Sequence, residues 1–231
     1  RRVLFRSVTN KLSLGEVVEQ VKLRWQSVAG ICFAFGLQAT CNYAQQAWLP
    51  TYFARVHNWP PTQAGLTLGV ITLITGVLGA YTGGWLCDRW QRNGKTDASL
   101  RVGVLATSCA GTFFSVAMAM PSLALQLTLL VPAFFFLTMP IGSSYASLQL
   151  ILPNQLRGQV GALQVFMLSL FGTILGPFLP GFFTDYLFKN PMMVGWSVAL
   201  TVGLASLLSA ILFYITCRPY RTHYARMHAS S

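Results

Sequence analysis

VGVLATSCAGTFFSVAMAMPSLALQLTLLVPAFFFLTMPIGSSYASLQLILPNQL, residues 102–156, contains no Asp, Glu, Lys or Arg. A bilayer span needs roughly 20 predominantly apolar residues in helical form, so this block holds two, folded back at Pro121-Ser122. Working outward, the remaining charges again fall at the edges of uncharged blocks, 25–54 and 56–87 on one side and 158–184 and 190–217 on the other. Each of those is long enough for one span. The expected fold is an all-α integral membrane domain over 25–217 with six transmembrane helices, at about 28–51, 63–86, 102–120, 123–150, 160–183 and 192–217. Residues 1–24 are expected to be a linker or interfacial helix, and 218–231 a cytoplasmic tail.

With 54% hydrophobic and 9% charged residues in a chain of 231, a soluble domain would leave more apolar surface than it could bury. The net charge of +11 does not indicate nucleic acid, whose binders gather their bases along one face. Here the bases lie between apolar spans. Assigning alternate connections to one side collects Arg1, Arg2, Arg6, Lys11, Lys22, Arg24, Arg89, Arg92, Lys95, Arg101, Arg157, Arg218, Arg221 and Arg226, and of the 16 basic residues only Arg55 and Lys189 remain for the other. That asymmetry implies an even number of spans and both termini in the cytoplasm, in an inner or plasma membrane. The lipid bilayer is the implied partner, and nucleic acid is excluded.

Cys32, Cys41, Cys87, Cys109 and Cys217 have no paired spacing and read as small packing residues, and His57, His223 and His228 are dispersed. No metal site and no cofactor are expected. The start, Arg1 to Ser7, has no initiator Met and reads as arbitrary. Ser13 and Glu16 have capping-box spacing, and Leu14, Val17, Val18, Val21 and Trp25 repeat at helical intervals, which suits an interfacial helix or a linker equally. Trp48, Tyr52, Trp59, Trp85, Trp90, Tyr186, Trp196 and Tyr220 fall near the span ends, where amphipathic rings favour the headgroup level.

A weak internal repeat adds organisation. Gly79, Gly84 and Asp88 end the second span, and Gly176, Gly181 and Asp185 end the fifth with the same spacing. Two inverted three-helix units would produce that relation, as in many secondary transporters. The pairs Gly65 and Gly69, Gly79 and Gly83, and Gly172 and Gly176 let helix backbones approach closely and read as packing surfaces.

Three motifs carry a family likeness. Gly83-Gly84-Trp85-Leu86-Cys87-Asp88-Arg89-Trp90-Gln91-Arg92 resembles the Gly-x-x-x-Asp-Arg-x-x-Arg signature of the major facilitator superfamily, in its C-terminal copy. Pro153-Asn154-Gln155-Leu156-Arg157-Gly158 resembles the Pro-x-x-x-Arg-Gly turn of that superfamily. Gly176-Pro177 with Gly181-Phe182-Phe183-Thr184-Asp185-Tyr186 resembles its fifth-helix ending, particularly in the spinster-like branch. The resemblance implies half of a twelve-helix carrier, with an N-terminal six-helix half as its missing partner, so the chain is expected to be a fragment. It further implies a gating role for Gly84, Asp88, Arg89, Arg92, Arg157, Gly158 and Asp185. Asp88 can accept backbone N–H groups at a neighbouring helix start or pair with Arg89 or Arg92; otherwise it marks the helix end.

Gln38, Asn42, Gln45 and Gln46 fall within an arc of about 100° on the first span, and amides are costly against lipid. They face another helix or a hydrated pathway. Thr138, Tyr145 and Gln149 share an arc of the fourth span, which Pro132 and Pro140 interrupt beside Gly142, Ser143 and Ser144. Broken helices expose carbonyls only where protein or a cavity accepts them. These seven are the candidate substrate-binding residues, with Gln164 a weaker one. No Asp, Glu, Lys, Arg or His lies mid-span, so any proton relay must reside elsewhere. The expected activity is secondary transport, by alternating access, of a small organic or amphiphilic solute; an uncharged wall suits a neutral or amphiphilic one, and the spinster-like resemblance implies a lysolipid or sphingoid-type amphiphile, with sugar and organic-acid carriers of the same superfamily left open. The alternative is a non-transporting membrane subunit or membrane enzyme. The latter needs clustered catalytic side chains that the sequence does not offer, so the chain is not read as an enzyme.

Overall fold

Helices account for nearly all of the residues that the computed structural model describes, 14–152 and 156–229. α1 (Leu14–Val56) runs unbroken for 43 residues, so the stretch before Trp25 continues directly into the first long helix. A sharp turn with Asn58 in the left-handed region leads to α2 (Pro61–Arg92), whose first position is proline, with φ already suited to a helix and no N–H to strand. Gly94, at φ 78°, turns the chain into α3 (Ala98–Ala119), and a short turn at Met120 leads to α4 (Leu123–Thr138).

The expected fourth span is broken, at one of its two prolines. α4 stops at Thr138 and α5 (Ile141–Ile151) begins beyond Pro140, which has no N–H for the Phe136 carbonyl, whereas Pro132 lies inside α4. The expected fifth span comprises α6 (Arg157–Ser169), a π-helical turn Leu170–Leu175, α7 (Gly176–Phe182) and a second π-helical turn Phe183–Phe188. α8 (Val194–Ala229) completes the fold. The residues from 218, expected as a cytoplasmic tail, continue α8 as helix through Ala229, where Tyr220 is fully buried and Arg221 binds Asp97.

Among the described residues five helical segments are long and apolar enough to cross a bilayer: Pro61–Arg92, Ala98–Ala119, Leu123–Ser143, Arg157–Phe188 and Pro191–Ala225. α1 is long enough but less apolar, because it carries the four amides.

α1 packs along α8 and against α6, α7 and the turn between them; α3 fits between α8 and α4, and α2 lies on α4. One core gathers Leu49, Phe53, Phe114, Leu130, Phe134 and Val198. A second, toward the end rich in Arg, gathers Ile31, Phe35, Leu148, Ile151, Phe213 and Tyr220, with Phe35 edge-on to Phe213 at 4.7 Å. Cys32, Cys41, Cys87 and Cys217 are buried free thiols that fill such space.

Lipid tails are as apolar as these side chains, so close approach and hydrogen bonds hold the helices together. A Cβ on Gly79 or Gly83 would run into Thr138 or the Met139 carbonyl, and one on Gly172 or Gly176 into Tyr43. These two pairs are packing surfaces. A Cβ on Gly65 or Gly69 would meet nothing within 4 Å, so the third expected pair packs against nothing among the described residues. At the end away from the Arg-rich face, Gln126 Nε2 donates to the Met120 carbonyl at 2.7 Å, which turns Oε1 toward Tyr52 Oη and His57 Nε2, both at 3.0 Å. With Oε1 as the acceptor, His57 Nε2 is the donor of that contact. Tyr52 and Tyr220, expected at the headgroups, are instead buried with their hydroxyls bonded internally.

Candidate functional site

A cavity of about 250 Å³ opens between α1, α5 and α6, lined by Phe35, Gln38, Ala39, Asn42, Tyr43, Gln46, Ile141 and Leu168. No charged side chain lines it. The helical repeat of α1 presents Gln38, Asn42 and Gln46 to the same space at successive turns. Gln38 is only 4% exposed, and its Nε2 donates to the Leu137 carbonyl at 2.6 Å, beside the α4–α5 break. Asn42 Nδ2 donates to the Gln38 carbonyl at 3.2 Å, and Gln46 is exposed.

The other candidates are dispersed. Gln45 is buried and does not line the cavity. Thr138 turns toward α2, its hydroxyl 3.1 Å from the Thr75 carbonyl. Tyr145 and Gln149 belong to α5, but their side chains lie outside the described residues. Gln164 is buried on α6.

α1 also supplies donors to the irregular helices around it. Besides Gln38 on Leu137, Thr40 Oγ1 reaches the Phe171 carbonyl in the first π-helical turn at 3.1 Å, and Trp48 Nε1 donates to the Pro177 carbonyl at 2.8 Å. Broken backbone inside a membrane needs such partners.

A second cavity, of about 260 Å³, lies at the Arg-rich end between α2, α3, α5 and α6, with Gly84, Asp88, Ser99, Ser143 and Arg157 in its wall. Asp88 is exposed and pairs with neither Arg89 nor Arg92. Neighbours i and i+1 on a helix point apart, and Arg89 sits over the Trp85 ring, 5.3 Å from its centroid. Arg92 and Gly158 are exposed, and Asp185 is exposed on the second π-helical turn.

The ion pairs among the described residues belong to Asp97, a residue the sequence reading passed over. Arg221 donates to its Oδ2 from Nε at 2.8 Å and from Nη2 at 2.6 Å, and Arg101 Nε to its Oδ1 at 3.0 Å. Burial pushes the Asp97 carboxyl up, but the hydrogen bonds from Arg221 and Arg101 outweigh it and hold the group below its ordinary value. Its position just before the first turn of α3, four residues ahead of Arg101, was the available signal.

The helical segments and the uncharged cavity define an integral membrane protein. Residues 3–177 match the Major Facilitator Superfamily, and the chain belongs to that superfamily, whose members are transporters rather than enzymes. It is 26% identical over 202 residues to an MFS-type efflux pump of Mycolicibacterium smegmatis, covering 84% of this chain and 44% of the pump. Crystal structures of a bacterial homologue of the human lysosomal transporter Spinster share the fold. The inward-facing occupied form has TM-score 0.59 at 15% identity, covering 86% of this chain and 49% of that one. The inward-facing unoccupied form has TM-score 0.60 at 16% identity, covering 95% and 52%. The chain thus spans about half the length of the relatives it matches.

Proposed function

We propose that this chain acts as the C-terminal half of a secondary carrier working by alternating access on a small organic or amphiphilic solute without net charge. The observation that carries this reading is the cavity along α1, where Asn42 and Gln46 offer hydrogen bonds between the apolar walls of Phe35, Ile141 and Leu168. In this reading α1 is the first of six spans, arranged as two inverted three-helix units with both termini in the cytoplasm. The efflux pump among its relatives supports outward movement, and the likeness to the Spinster homologue supports an amphiphile.

A six-helix partner half is the natural cover for the apolar faces of α2 and α6–α7, where Leu66, Leu73, Val77, Phe166 and Phe178 are each more than half exposed. Asp88, Arg89, Arg92, Arg157, Gly158 and Gly84 would then face that half and gate the cytoplasmic side, with Asp185 at the opposite end. The test is transport by the complete parent chain, reconstituted with and without a pH gradient. Asn42→Ala or Gln46→Ala should lower uptake about three- to tenfold, the worth of one hydrogen bond, at unchanged membrane abundance. Unchanged uptake from both variants removes the cavity from the transport path.

A further inference from the structure

Two cavities lie on either side of α5. Ile141 closes the one lined by Asn42 and Gln46, whereas Gly142, Ser143 and Leu150 line the one at the Arg-rich end. α5 is the wall between them, joined to α4 only through Met139 and Pro140. Two buried side chains from other helices hold this wall. Ser99 Oγ of α3 donates to the Ser143 carbonyl at 2.8 Å, and Tyr220 Oη of α8 donates to the Ser147 carbonyl at 3.0 Å. Each holder stands within two residues of an ion-pair partner. Asp97 precedes Ser99 at the start of α3, and Arg221 follows Tyr220 on α8.

We propose that the Asp97–Arg221 pair is a clasp: it sets α3 and α8 in the register from which Ser99 and Tyr220 hold α5 shut, and its release lets α5 swing at Met139-Pro140 and join the two cavities. Asp97 is 1% exposed, and a buried carboxylate stripped of every partner is strongly disfavoured. Arg101, on the same helix, keeps Asp97 paired when Arg221 leaves. The clasp therefore has two accessible arrangements, as a switching element requires. What the motion serves rests on the carrier reading; the motion itself does not.

The test uses the complete parent chain with its native cysteines replaced by serine and a single cysteine introduced by Ile141→Cys. The rate of labelling by a membrane-impermeant maleimide is measured from the Arg-rich side of sealed vesicles. Asp97→Asn and Arg221→Gln should each raise that rate about tenfold, as the loss of a charge-assisted hydrogen bond implies. The double variant should add little to either single, and exchanging the charges, Asp97→Arg with Arg221→Asp, should restore much of the slow rate. Tyr220→Phe keeps the ring and the ion pair and should raise the rate less. Arg101→Gln leaves the tie between α3 and α8 intact and should raise it less than Arg221→Gln. Unchanged labelling in both Arg221→Gln and Tyr220→Phe, in protein that elutes as a folded monomer, overturns the clasp, as do equal increases for Arg101→Gln and Arg221→Gln. Uptake measured in parallel separates the two readings: labelling that follows this pattern in a protein that moves no solute leaves the clasp standing and removes the carrier.

Discussion

Gly79 and Gly83 lie where α2 crosses the α4–α5 break, and replacing both with alanine should weaken the fold there. The added methyl of Gly83→Ala meets the Met139 carbonyl, and that of Gly79→Ala meets Thr138 and the Phe135 carbonyl. Backbone atoms cannot rotate aside, so α2 must lift away from α4. Overpacking of this kind costs about 1–3 kcal/mol per site. The comparison is Gly65→Ala with Gly69→Ala on the same helix, where nothing lies within 4 Å of either position. Both double variants gain the same helix propensity, about 2 kcal/mol for two glycines. Their difference therefore isolates packing, at about 2–6 kcal/mol. Equilibrium unfolding of the 231-residue chain in mixed micelles, followed by tryptophan fluorescence, measures it. Stabilities of the two doubles within about 1 kcal/mol of each other, less than one such clash, would refute close α2–α4 contact as the source of the glycine requirement.

Gln38→Leu should lower stability by about 1–3 kcal/mol, because the Leu137 carbonyl beside the helix break loses its donor, whereas Asn42→Leu should cost less in the same unfolding assay. Gln126→Leu leaves the Tyr52 hydroxyl and the His57 Nε2 proton without their acceptor and should destabilise by a similar ~1–3 kcal/mol. Asp97 has a folded value held below its ordinary one. Its contribution is then fully present above the ordinary carboxylate range, near 4, and is lost as pH falls through the depressed folded value. Acid titration of the unfolding midpoint should show a decline that Asp97→Asn flattens, and an unaltered decline in that variant would assign it to other groups.

The edges of α2 and α3 were legible because charges are excluded from hydrocarbon whatever the fold, and the observed helices depart from the expected ranges mainly at their Arg-rich ends, running on to Arg92 and starting at Ala98. The break in the fourth span was half legible: Pro132 and Pro140 both lack an N–H, but the helix stops only at Pro140. Other features depend on residues far apart in sequence. Arg221 stands 124 positions from Asp97, and Tyr220 stands 73 from Ser147, so hydropathy alone ended α8 at Cys217. The π-helical turn at Leu170–Leu175 had no compositional mark beyond one glycine, Gly172, and the residues packed against it, Tyr43 and Thr40, are about 130 positions away. The amide arc was half legible: its angular width put Gln45 with Gln38, Asn42 and Gln46, while the neighbouring helices decide which of them reach the cavity.

The amides of α1 therefore serve two purposes that a helical wheel cannot separate. α1 is unbroken, and the helices it faces are not: α4 ends beside Leu137, and the path from α6 to α7 passes through a π-helical turn and Pro177. Irregular backbone at membrane depth is tolerated only where its polar groups find partners. Gln38, Thr40 and Trp48 supply three of them from one regular helix. An unbroken polar helix beside two interrupted ones thus acts with them as a unit, in which the first gives partners to carbonyls that the interruptions of the others would otherwise leave to lipid. In the proposed carrier, the residues on α1 left to meet a solute are those not engaged by the bends, Asn42 and Gln46. Both line the cavity together with Ile141, the first residue of α5. If the chain is a carrier half, solute contact and the proposed movement of α5 would meet at one wall of the cavity.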